Sequence, residues 1–242
     1  MLIQVALNGG RSRQEHSAVP QTPEELAAEA RACVEAGAES LHFHPRDERG
    51  GETLEAGPSA NAVLAVRAAC PGLPVVLSGG LWIARGDRKR QFELIARWIA
   101  KPDFVACNMA EPGVLDALEF LIERGIPPEA GVVTVDQARA LVESGLGDRV
   151  GRILVSPAEP DAAASLETAR AIDEIVAPLG PPRLHYGYLD QTWAVIDAAL
   201  ADGRDVRIGF EDTFDLPDGT RADGNAELVA EVARRRDALA AQ

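Results

Sequence analysis

The stretch Thr22–Pro45, TPEELAAEARACVEAGAESLHFHP, contains one complete helix-to-strand unit. Its threonine and proline predict an N-cap and a first helical position, Glu25 completes a capping box, and Gly37 predicts the helix end. The short apolar run Ser40–His44 then predicts a buried strand. A helix feeding directly into a strand is typical of an α/β protein.

The same alternation of strand and helix recurs along all 242 residues. Eight strands are predicted, over Ile3–Asn8, Ser40–His44, Pro74–Ser78, Phe104–Asn108, Gly131–Val135, Arg152–Ser156, Arg183–Gly187 and Val206–Glu211. Eight such units fit the size of a (β/α)₈ TIM barrel, for which about 250 residues are typical. A doubly wound open sheet shows the same alternation, but its GxGxxG fingerprint is missing after the first strand. We therefore expect a single barrel domain over residues 1–242.

The charge and composition of the chain argue against some kinds of binding partner and indicate a cellular compartment. The formal charge of −14 argues against nucleic acid or an anionic membrane as a partner, because both require a basic surface. Three cysteines without a CxxC pair favour a reducing compartment. The N-terminal apolar run is too short for a signal peptide, and no stretch approaches the ~18 apolar residues of a membrane span. We therefore expect a cytoplasmic protein.

Polar side chains recur where the predicted strands end, which is the end that carries function in a TIM barrel. Alternation along the strands predicts that these side chains point inward: Asn8, Ser78, Asn108, Thr134, Ser156 and His185. Taken singly, each is equally well explained as a turn residue that caps the next helix. Taken together, they predict a polar binding mouth.

His42 and His44 project from the same face at the end of the second strand. Their Cα atoms are expected to lie ~6.6 Å apart, so both imidazoles can reach one ion at ~2.0–2.1 Å. An HxH pair alone is a weak signal, but Glu211 lies at the inward end of strand eight, separated from strand two only by strand one. Two histidines and one carboxylate are typical of a catalytic zinc site. The alternative for Glu211 is a salt bridge to Arg207 or Arg46.

Asp212 follows Glu211 and points to the opposite side of the strand in strict alternation. It can pair with the inward Arg207 only if the chain curls directly after Glu211. Such a curl is expected where the strand leaves the barrel.

Four segments in combination resemble the β-keto acid cleavage enzymes: VPQTPEELAAEARACVEAGAESLHFHPRDERGG, LSGG, VRIGFED and DGNAELVAEVARR. The resemblance spans nearly the whole chain. It implies a zinc-dependent homo-oligomeric barrel enzyme that condenses a β-keto acid with acetyl-CoA in a retro-Claisen sequence, giving acetoacetate and an acyl-CoA.

The resemblance also implies roles for individual residues. The zinc ligands fall on His42, His44 and Glu211, the arginine–aspartate pair on Arg207 and Asp212, and substrate-binding positions on Ser78 and Asn108. Asn8 is a further expected substrate contact. The first-loop glutamate of the family has no clear counterpart: Arg11 aligns nearest to it and favours a substrate with an anionic substituent.

Proton abstraction is expected of Asp212, oriented by Arg207, because a guanidinium stays protonated. The segment IARGDRKRQ supplies Arg85, Arg88 and Lys89 for the phosphates of CoA. The alternative for these cations is a solvated helix start.

Two other classes stay open at this point. An amidohydrolase-type metal hydrolase also uses an HxH pair on a barrel, but only His16 and His185 are left to supply its further histidines. A non-catalytic metal-binding or metabolite-binding barrel is the second alternative, against which the retention of Arg207 and Asp212 argues.

Overall fold

Eight parallel strands alternate with eight α-helices in the computed structural model, which describes residues 1–241. The strands are β1 (Ile3–Ala6), β2 (Ser40–Phe43), β3 (Val75–Ser78), β4 (Phe104–Asn108), β5 (Pro128–Val132), β6 (Arg152–Val155), β7 (Arg183–His185) and β8 (Asp205–Ile208). The helices are α1 (Pro23–Glu35), α2 (Ala56–Ala69), α3 (Arg88–Ile95), α4 (Val114–Glu123), α5 (Val135–Glu143), α6 (Ala162–Val176), α7 (Thr192–Ala201) and α8 (Asn225–Ala240). Strand β1 pairs with both β2 and β8, so the barrel is closed and the predicted TIM-barrel fold is confirmed.

Helix α1 begins as its sequence predicts. The Thr22 hydroxyl accepts from the Glu25 backbone N–H at 3.2 Å, and the Glu25 carboxylate accepts from the Thr22 N–H at 3.1 Å. These two bonds satisfy donors that a helix start leaves unpaired. The chain then turns at Gly37, whose φ of 116° favours glycine, and enters β2.

The prediction for the fifth strand was wrong by three residues. The strand runs over Pro128–Val132 rather than Gly131–Val135, and Ala130 pairs with Cys107 of β4. The prediction rested on a β-branched run, but the end of this run belongs to the next helix. The Thr134 hydroxyl caps α5 by accepting from the Gln137 N–H. Thr134 therefore has the helix-capping role and does not point into the barrel.

The prediction for His185 was also wrong. Tyr186, the residue directly after β7, lines the barrel mouth in place of His185. His185 points outward to α6, where its Nε2 lies 3.3 Å from the Asp173 carboxylate. Arg183 reaches the same carboxylate at 3.3 Å, so both outward side chains of this short strand share one partner.

The lower half of the barrel interior holds a polar cluster. The Gln4 amide and the Arg152 guanidinium donate to the same oxygen of Glu129, at 3.0 Å and 2.5 Å. All three side chains are buried. Burial raises the pKa of Glu129, against the opposing effect of Arg152. The cluster fills the barrel beneath the mouth, so the interior is packed at this level.

No helix within residues 1–241 is both long enough and apolar enough to cross a membrane.

Candidate active site

His42, His44 and Glu211 meet at the C-terminal mouth of the barrel. The two Nε2 atoms lie 3.1 Å apart, and Glu211 Oε2 lies 3.2 Å from His42 Nε2 and 3.4 Å from His44 Nε2. Both histidines are buried, and Glu211 Oε2 accepts no well-directed hydrogen bond. Three atoms that can each offer a lone pair therefore converge on one point, which is an arrangement suited to a metal ion.

His42 and Glu211 have protonation states that fit ligation, whereas at His44 burial lowers the pKa but the carboxylates of Glu211 and Glu52 raise it above its ordinary value. Burial lowers the pKa of His42 to about 4, so its ring is neutral near pH 7. Burial raises the pKa of Glu211, but chiefly the charge of Arg207, together with the neighbouring histidines, holds it well below its ordinary value. Neutral imidazoles and an ionised carboxylate are the forms that bind metals.

Glu211 divides its two oxygens between two tasks. Its Oε1 forms a salt bridge with a terminal nitrogen of Arg207 at 2.7 Å, while Oε2 faces the histidines. The salt bridge to Arg207 and the metal-facing position therefore coexist. Arg46 instead donates to the backbone carbonyls of Gly9 and Arg11.

The chain does curl after Glu211, as pairing of Asp212 with Arg207 requires. The N–H groups of Asp212 and Thr213 both donate to the carbonyl of Gly209, at 2.8 Å and 3.0 Å. Arg207 then holds Asp212 through two bonds, Nε to Oδ2 at 3.1 Å and a terminal nitrogen to Oδ1 at 2.7 Å. Burial raises the pKa of Asp212 to about 6, although Arg207 opposes the rise.

A cavity of about 110 Å³ opens beside these groups. Its polar side is formed by His42, His44, Glu211, Arg207, Ser78, Asn108, Ser156 and Tyr186. The lining also includes small and apolar residues, Ala106, Gly131, Val133 and Leu154. Cys107 also contributes, but burial raises its pKa to about 12, so its thiol is not a nucleophile near pH 7. The cavity is well below the 300–1,000 Å³ typical of sites for drug-sized ligands.

Ser78 and Asn108 both line the cavity, as the sequence predicts. The Ser78 hydroxyl accepts from the Gly80 N–H at 3.3 Å, and Asn108 Oδ1 accepts from the Ala110 N–H at 2.9 Å. These bonds leave the Ser78 hydroxyl hydrogen and the Asn108 amide hydrogens as donors for a ligand.

Asn8, which was expected to contact the substrate, is not among the residues that line the cavity. Its side chain is fully buried and clamps the backbone of His44, accepting from the His44 N–H at 2.9 Å and donating to the His44 carbonyl at 3.0 Å. On the other side of β1, the Asn225 side chain accepts from the Phe210 N–H and donates to the Leu7 carbonyl. The side-chain amides of Asn8 and Asn225 thus hold the end of β1 to the segments that carry His44 and Glu211.

Arg11 lies above Glu211 at the rim of the mouth. Its Nε donates to the Glu211 carbonyl at 3.3 Å, and one terminal nitrogen pairs with Glu15 at 3.2 Å. The guanidinium carbon lies about 5 Å from the rings of Tyr188 and Phe214. Its other terminal nitrogen is buried and has no hydrogen-bond partner within residues 1–241.

The cations proposed for CoA lie away from the cavity lining. Arg88 donates to the Gln91 side chain in its own helix α3 and to the Pro112 carbonyl in the loop after β4, both at 2.6 Å, so it ties α3 to that loop and is not a free cation. Arg85 and Lys89 are exposed.

The other two histidines do not join the metal-binding group. His16 packs against the rings of Phe210 and Phe214, and His185 lies in the helical layer beside Asp173. Within residues 1–241, the further histidines of an amidohydrolase-type site are therefore missing from the mouth.

Three residues near the site carry no sequence motif: Tyr186, Glu52 and Trp82. The Tyr186 ring lies 4.1 Å from the Arg207 guanidinium carbon, and Glu52 accepts from His44 Nδ1. Tyr186 follows a strand of only three residues, and Glu52 and Trp82 lie between strands, so no periodicity along the sequence predicts these contacts.

A TIM barrel with a His-His-Glu group that could hold a metal ion and an adjacent arginine–aspartate pair at its C-terminal mouth has the form of a barrel enzyme. The family model for beta-keto acid cleavage enzymes matches residues 1–242. The chain therefore belongs to the β-keto acid cleavage enzyme family, and the resemblance found in its motifs is confirmed.

Two relatives support this assignment. The chain is 26% identical to the 3-keto-5-aminohexanoate cleavage enzyme of Fusobacterium nucleatum over 249 residues, covering 97% of this chain and 90% of the relative. It is also 26% identical to the enzyme of the same name from Acetoanaerobium sticklandii over 263 residues, with the same coverage.

Solved structures show the same fold. The apo structure of ObcA matches with a TM-score of 0.70 at 18% identity, covering 92% of this chain. This chain spans about 62% of the ObcA chain. The 3-dehydroquinate dehydratase of Geobacillus kaustophilus matches with a TM-score of 0.63 at 12% identity, covering 99% of this chain and 91% of that one.

Proposed function

We propose that this chain is a zinc-dependent enzyme that converts a β-keto acid and acetyl-CoA into acetoacetate and an acyl-CoA. In this exchange the substrate's acyl group moves to the CoA sulfur, and the acetyl group moves to the carboxymethyl fragment, so all atoms are accounted for. The observation that carries the proposal is the convergence of His42, His44 and Glu211 beside the Arg207–Asp212 pair in one cavity. Family membership supports the reaction class.

The donor set fits zinc. Ligand atoms around a tetrahedral zinc with bonds of about 2.0–2.1 Å lie about 3.3–3.4 Å apart. The three distances between the ligand atoms here are 3.1, 3.2 and 3.4 Å. Zinc held by His42, His44 and Glu211 supplies Lewis-acid polarisation of a substrate carbonyl.

The Arg207–Asp212 pair handles the proton. The carbon between the keto and carboxylate groups of a β-keto acid carries the most acidic hydrogens of the substrate. Arg207 faces the cavity and stays protonated, so Asp212 is the member of the pair that accepts a proton at its carboxylate. Asp212 is fully buried, so Arg207 must give one of its own N–H protons to Asp212 across these two hydrogen bonds as it takes up the substrate's proton, and its charge is the same at the end of the transfer. A pKa of about 6 for Asp212 suits a base that works near neutral pH.

Ser78 and Asn108 hold substrate oxygens with their free donors, and Arg11 binds an anionic substituent at the far end of the substrate. The unpartnered nitrogen of Arg11 and its position above Glu211 support this role. The cavity of about 110 Å³ favours a short substrate. Structures of ObcA are titled as complexes with oxaloacetate and with a C4-CoA adduct and oxalate, which is consistent with a small keto acid and CoA.

The test is a screen of the zinc-loaded protein with acetyl-CoA and a panel of β-keto acids that carry a distal carboxylate, amine or alkyl group. We expect acetoacetate formation that requires both CoA ester and zinc, with the carboxylate-bearing substrates preferred. The His42→Ala and Glu211→Ala variants should lose zinc and activity together. Acetoacetate from no substrate, or hydrolysis without CoA, would refute the proposed reaction.

Arg11→Gln tests the substrate assignment separately. This variant should lower kcat/KM for carboxylate-bearing substrates by about tenfold or more, since a charge-assisted hydrogen bond contributes about 1.5–3 kcal/mol. Activity on alkyl substrates should change little. An equal loss on both substrate types would assign Arg11 a structural role.

Four expectations stay predictions: a single domain over residues 1–242, a cytoplasmic location, a homo-oligomer, and CoA phosphates bound near Arg85 and Lys89. Light scattering on the purified protein measures the oligomeric state. The double variant Arg85→Ala/Lys89→Ala should raise the KM for acetyl-CoA if these cations bind its phosphates.

A further inference from the structure

A second carboxylate, Glu52, lies directly behind the metal-facing side of His44. Its Oε1 is 2.5 Å from His44 Nδ1. Glu52 belongs to the loop after β2, which folds back on itself so that Arg46 and Glu52 form an antiparallel bridge and the Thr53 N–H donates to the Pro45 carbonyl at 3.0 Å. The loop therefore fixes the backbone of Glu52 close to the end of the strand that carries His44.

The same carboxylate receives a second donor from the next loop of the barrel. Trp82 Nε1 lies 3.3 Å from Oε1 and 3.2 Å from Oε2 of Glu52. The indole packs on Gly80, where a Cβ would collide with it, and lines the cavity with its ring centroid 6.3 Å from that of His44. Glu52 is thus held by donors from the loops after β2 and β3.

His42 has no equivalent support. Its Nδ1 is buried and lacks a hydrogen-bond partner among the described residues. An ionised carboxylate only accepts hydrogen bonds, so the short contact to Glu52 requires the proton of His44 to be on Nδ1. The lone pair of His44 is then on Nε2, the atom that faces His42 and Glu211.

We propose that Glu52 is a positioning residue for the metal site: it fixes the tautomer and ring orientation of His44, and the Trp82 indole orients Glu52. The inference rests on the proposed metal-dependent function and deepens it. Carboxylates that accept from a ligating histidine have this effect in metalloproteins generally, and their loss typically weakens metal binding 10–100-fold. Neither Glu52 nor Trp82 is required to touch the metal or the substrate for this role.

The test measures zinc affinity of the full-length apo-protein by competition with a chromogenic chelator. Glu52→Ala should weaken zinc binding about 10–100-fold. Glu52→Gln should lose less, because its amide oxygen still accepts from His44. Trp82→Phe, which removes only the indole donor, should show a smaller loss. Melting of each apo variant at the wild-type temperature separates these effects from a general loss of structure.

Two matched controls belong to the same measurement. Glu48→Gln changes an exposed glutamate of the same loop, and Trp193→Phe removes an indole that donates to the Asp215 carbonyl at 2.8 Å away from the site. Both should bind zinc within about twofold of the wild type, because neither residue contacts a ligand.

Wild-type zinc affinity in Glu52→Ala would overturn the positioning role. If Glu52→Ala does not fold, Glu52→Gln decides, and an affinity equal to that of Glu48→Gln would overturn the role. Equal affinities for Trp82→Phe and Trp193→Phe would overturn the part assigned to Trp82. A wild-type protein that binds no zinc would instead refute the proposed function itself, so the two failures are distinguishable.

Discussion

Gly9 sets how closely the loop after β1 approaches Glu211. Its φ is +48°, and a Cβ there would lie 2.8 Å from the Cβ of Glu211, closer than side-chain carbons approach one another. A side chain at this position must therefore push Glu211 away from the two histidines. The space left by glycine is part of the metal site.

The variant Gly9→Ala should weaken zinc binding by about tenfold or more and destabilise the fold by about 1–3 kcal/mol. Gly203→Ala is the matched control, because Gly203 has a φ of +69° with nothing within 4 Å of an added Cβ. It should suffer the backbone strain and keep its zinc affinity. Chelator competition measures the difference, and equal zinc affinities in the two variants would contradict the steric argument.

Asp212 is the residue whose loss should separate chemistry from metal binding. Asp212→Asn should slow acetoacetate formation about 10²–10⁴-fold, since the amide cannot accept the proton. Zinc content should stay at the wild-type level, because Asp212 bonds only to Arg207 at its side chain. Asp215→Asn, at an exposed position of the same loop, is the control and should keep its activity. Wild-type rates in Asp212→Asn would exclude it as the base.

Strand β1 is the element that joins the two halves of the metal site. It carries no ligand, yet its end is held to β2 by the Asn8 side chain and to the loop after β8 by the Asn225 side chain. Because each amide bonds to backbone groups of the element beside it, the heights of the histidines and of Glu211 are fixed relative to each other. The register of β1 with its two neighbouring strands thus determines the relative positions of His42, His44 and Glu211.

Replacing Asn225 with alanine should lower the free energy of unfolding by about 1–3 kcal/mol, because the buried Phe210 N–H loses its acceptor. Asn61→Ala, at an exposed position of α2, should change it by less than about 0.5 kcal/mol. Urea denaturation followed by circular dichroism compares the two. A similar small change in both would show that the Phe210 N–H is satisfied in another way.

Most elements could be predicted from the sequence, because each strand is an apolar run between a helix end and a capping residue. The exceptions have physical causes. Strand β5 begins with Pro128 and Glu129, which are poor strand formers. Glu129 is nevertheless stable inside the barrel because it forms a salt bridge with Arg152 there. The alternation in β7 was misjudged because three residues cannot define a face, and His185 pairs outward with Asp173.

His42 and His44 could be predicted because they lie at the end of β2, where alternation determines direction, whereas β8 ends at Ile208, three residues before Glu211, so the strand predicted over Val206–Glu211 was too long at its end. The supporting contacts could not be predicted. Glu52 reaches His44 from a loop, and Asn8 uses its amide on backbone groups in place of a ligand. Such contacts depend on how loops fold over one another, which spacing along one chain does not record.

For the molecule as a whole, a bound metal links β2 to β8 and should stabilise the barrel. A ligand that binds only the folded state at 100 times its Kd adds about 2.7 kcal/mol, which for a chain of this size raises Tm by about 5–10 °C. Scanning calorimetry with zinc and with chelator measures the shift. His42→Ala should melt at the same temperature in both conditions, and a shift equal to that of the wild type would place the stabilising metal elsewhere.

The metal-facing residues and the small apolar residues of the cavity come from different strands of the barrel, although the polar Asn108 and Ser156 lie on or just after the same strands as the apolar residues. The metal-binding group stands on β2 and just past β8, whereas the small apolar residues Ala106, Gly131, Val133 and Leu154 belong to β4, to β5 and the loop after it, and to β6. Mutations of these small apolar residues therefore leave the ligand-bearing strands intact. Such a separation lets a lineage exchange one substrate for another in small steps while the reaction itself is inherited unchanged.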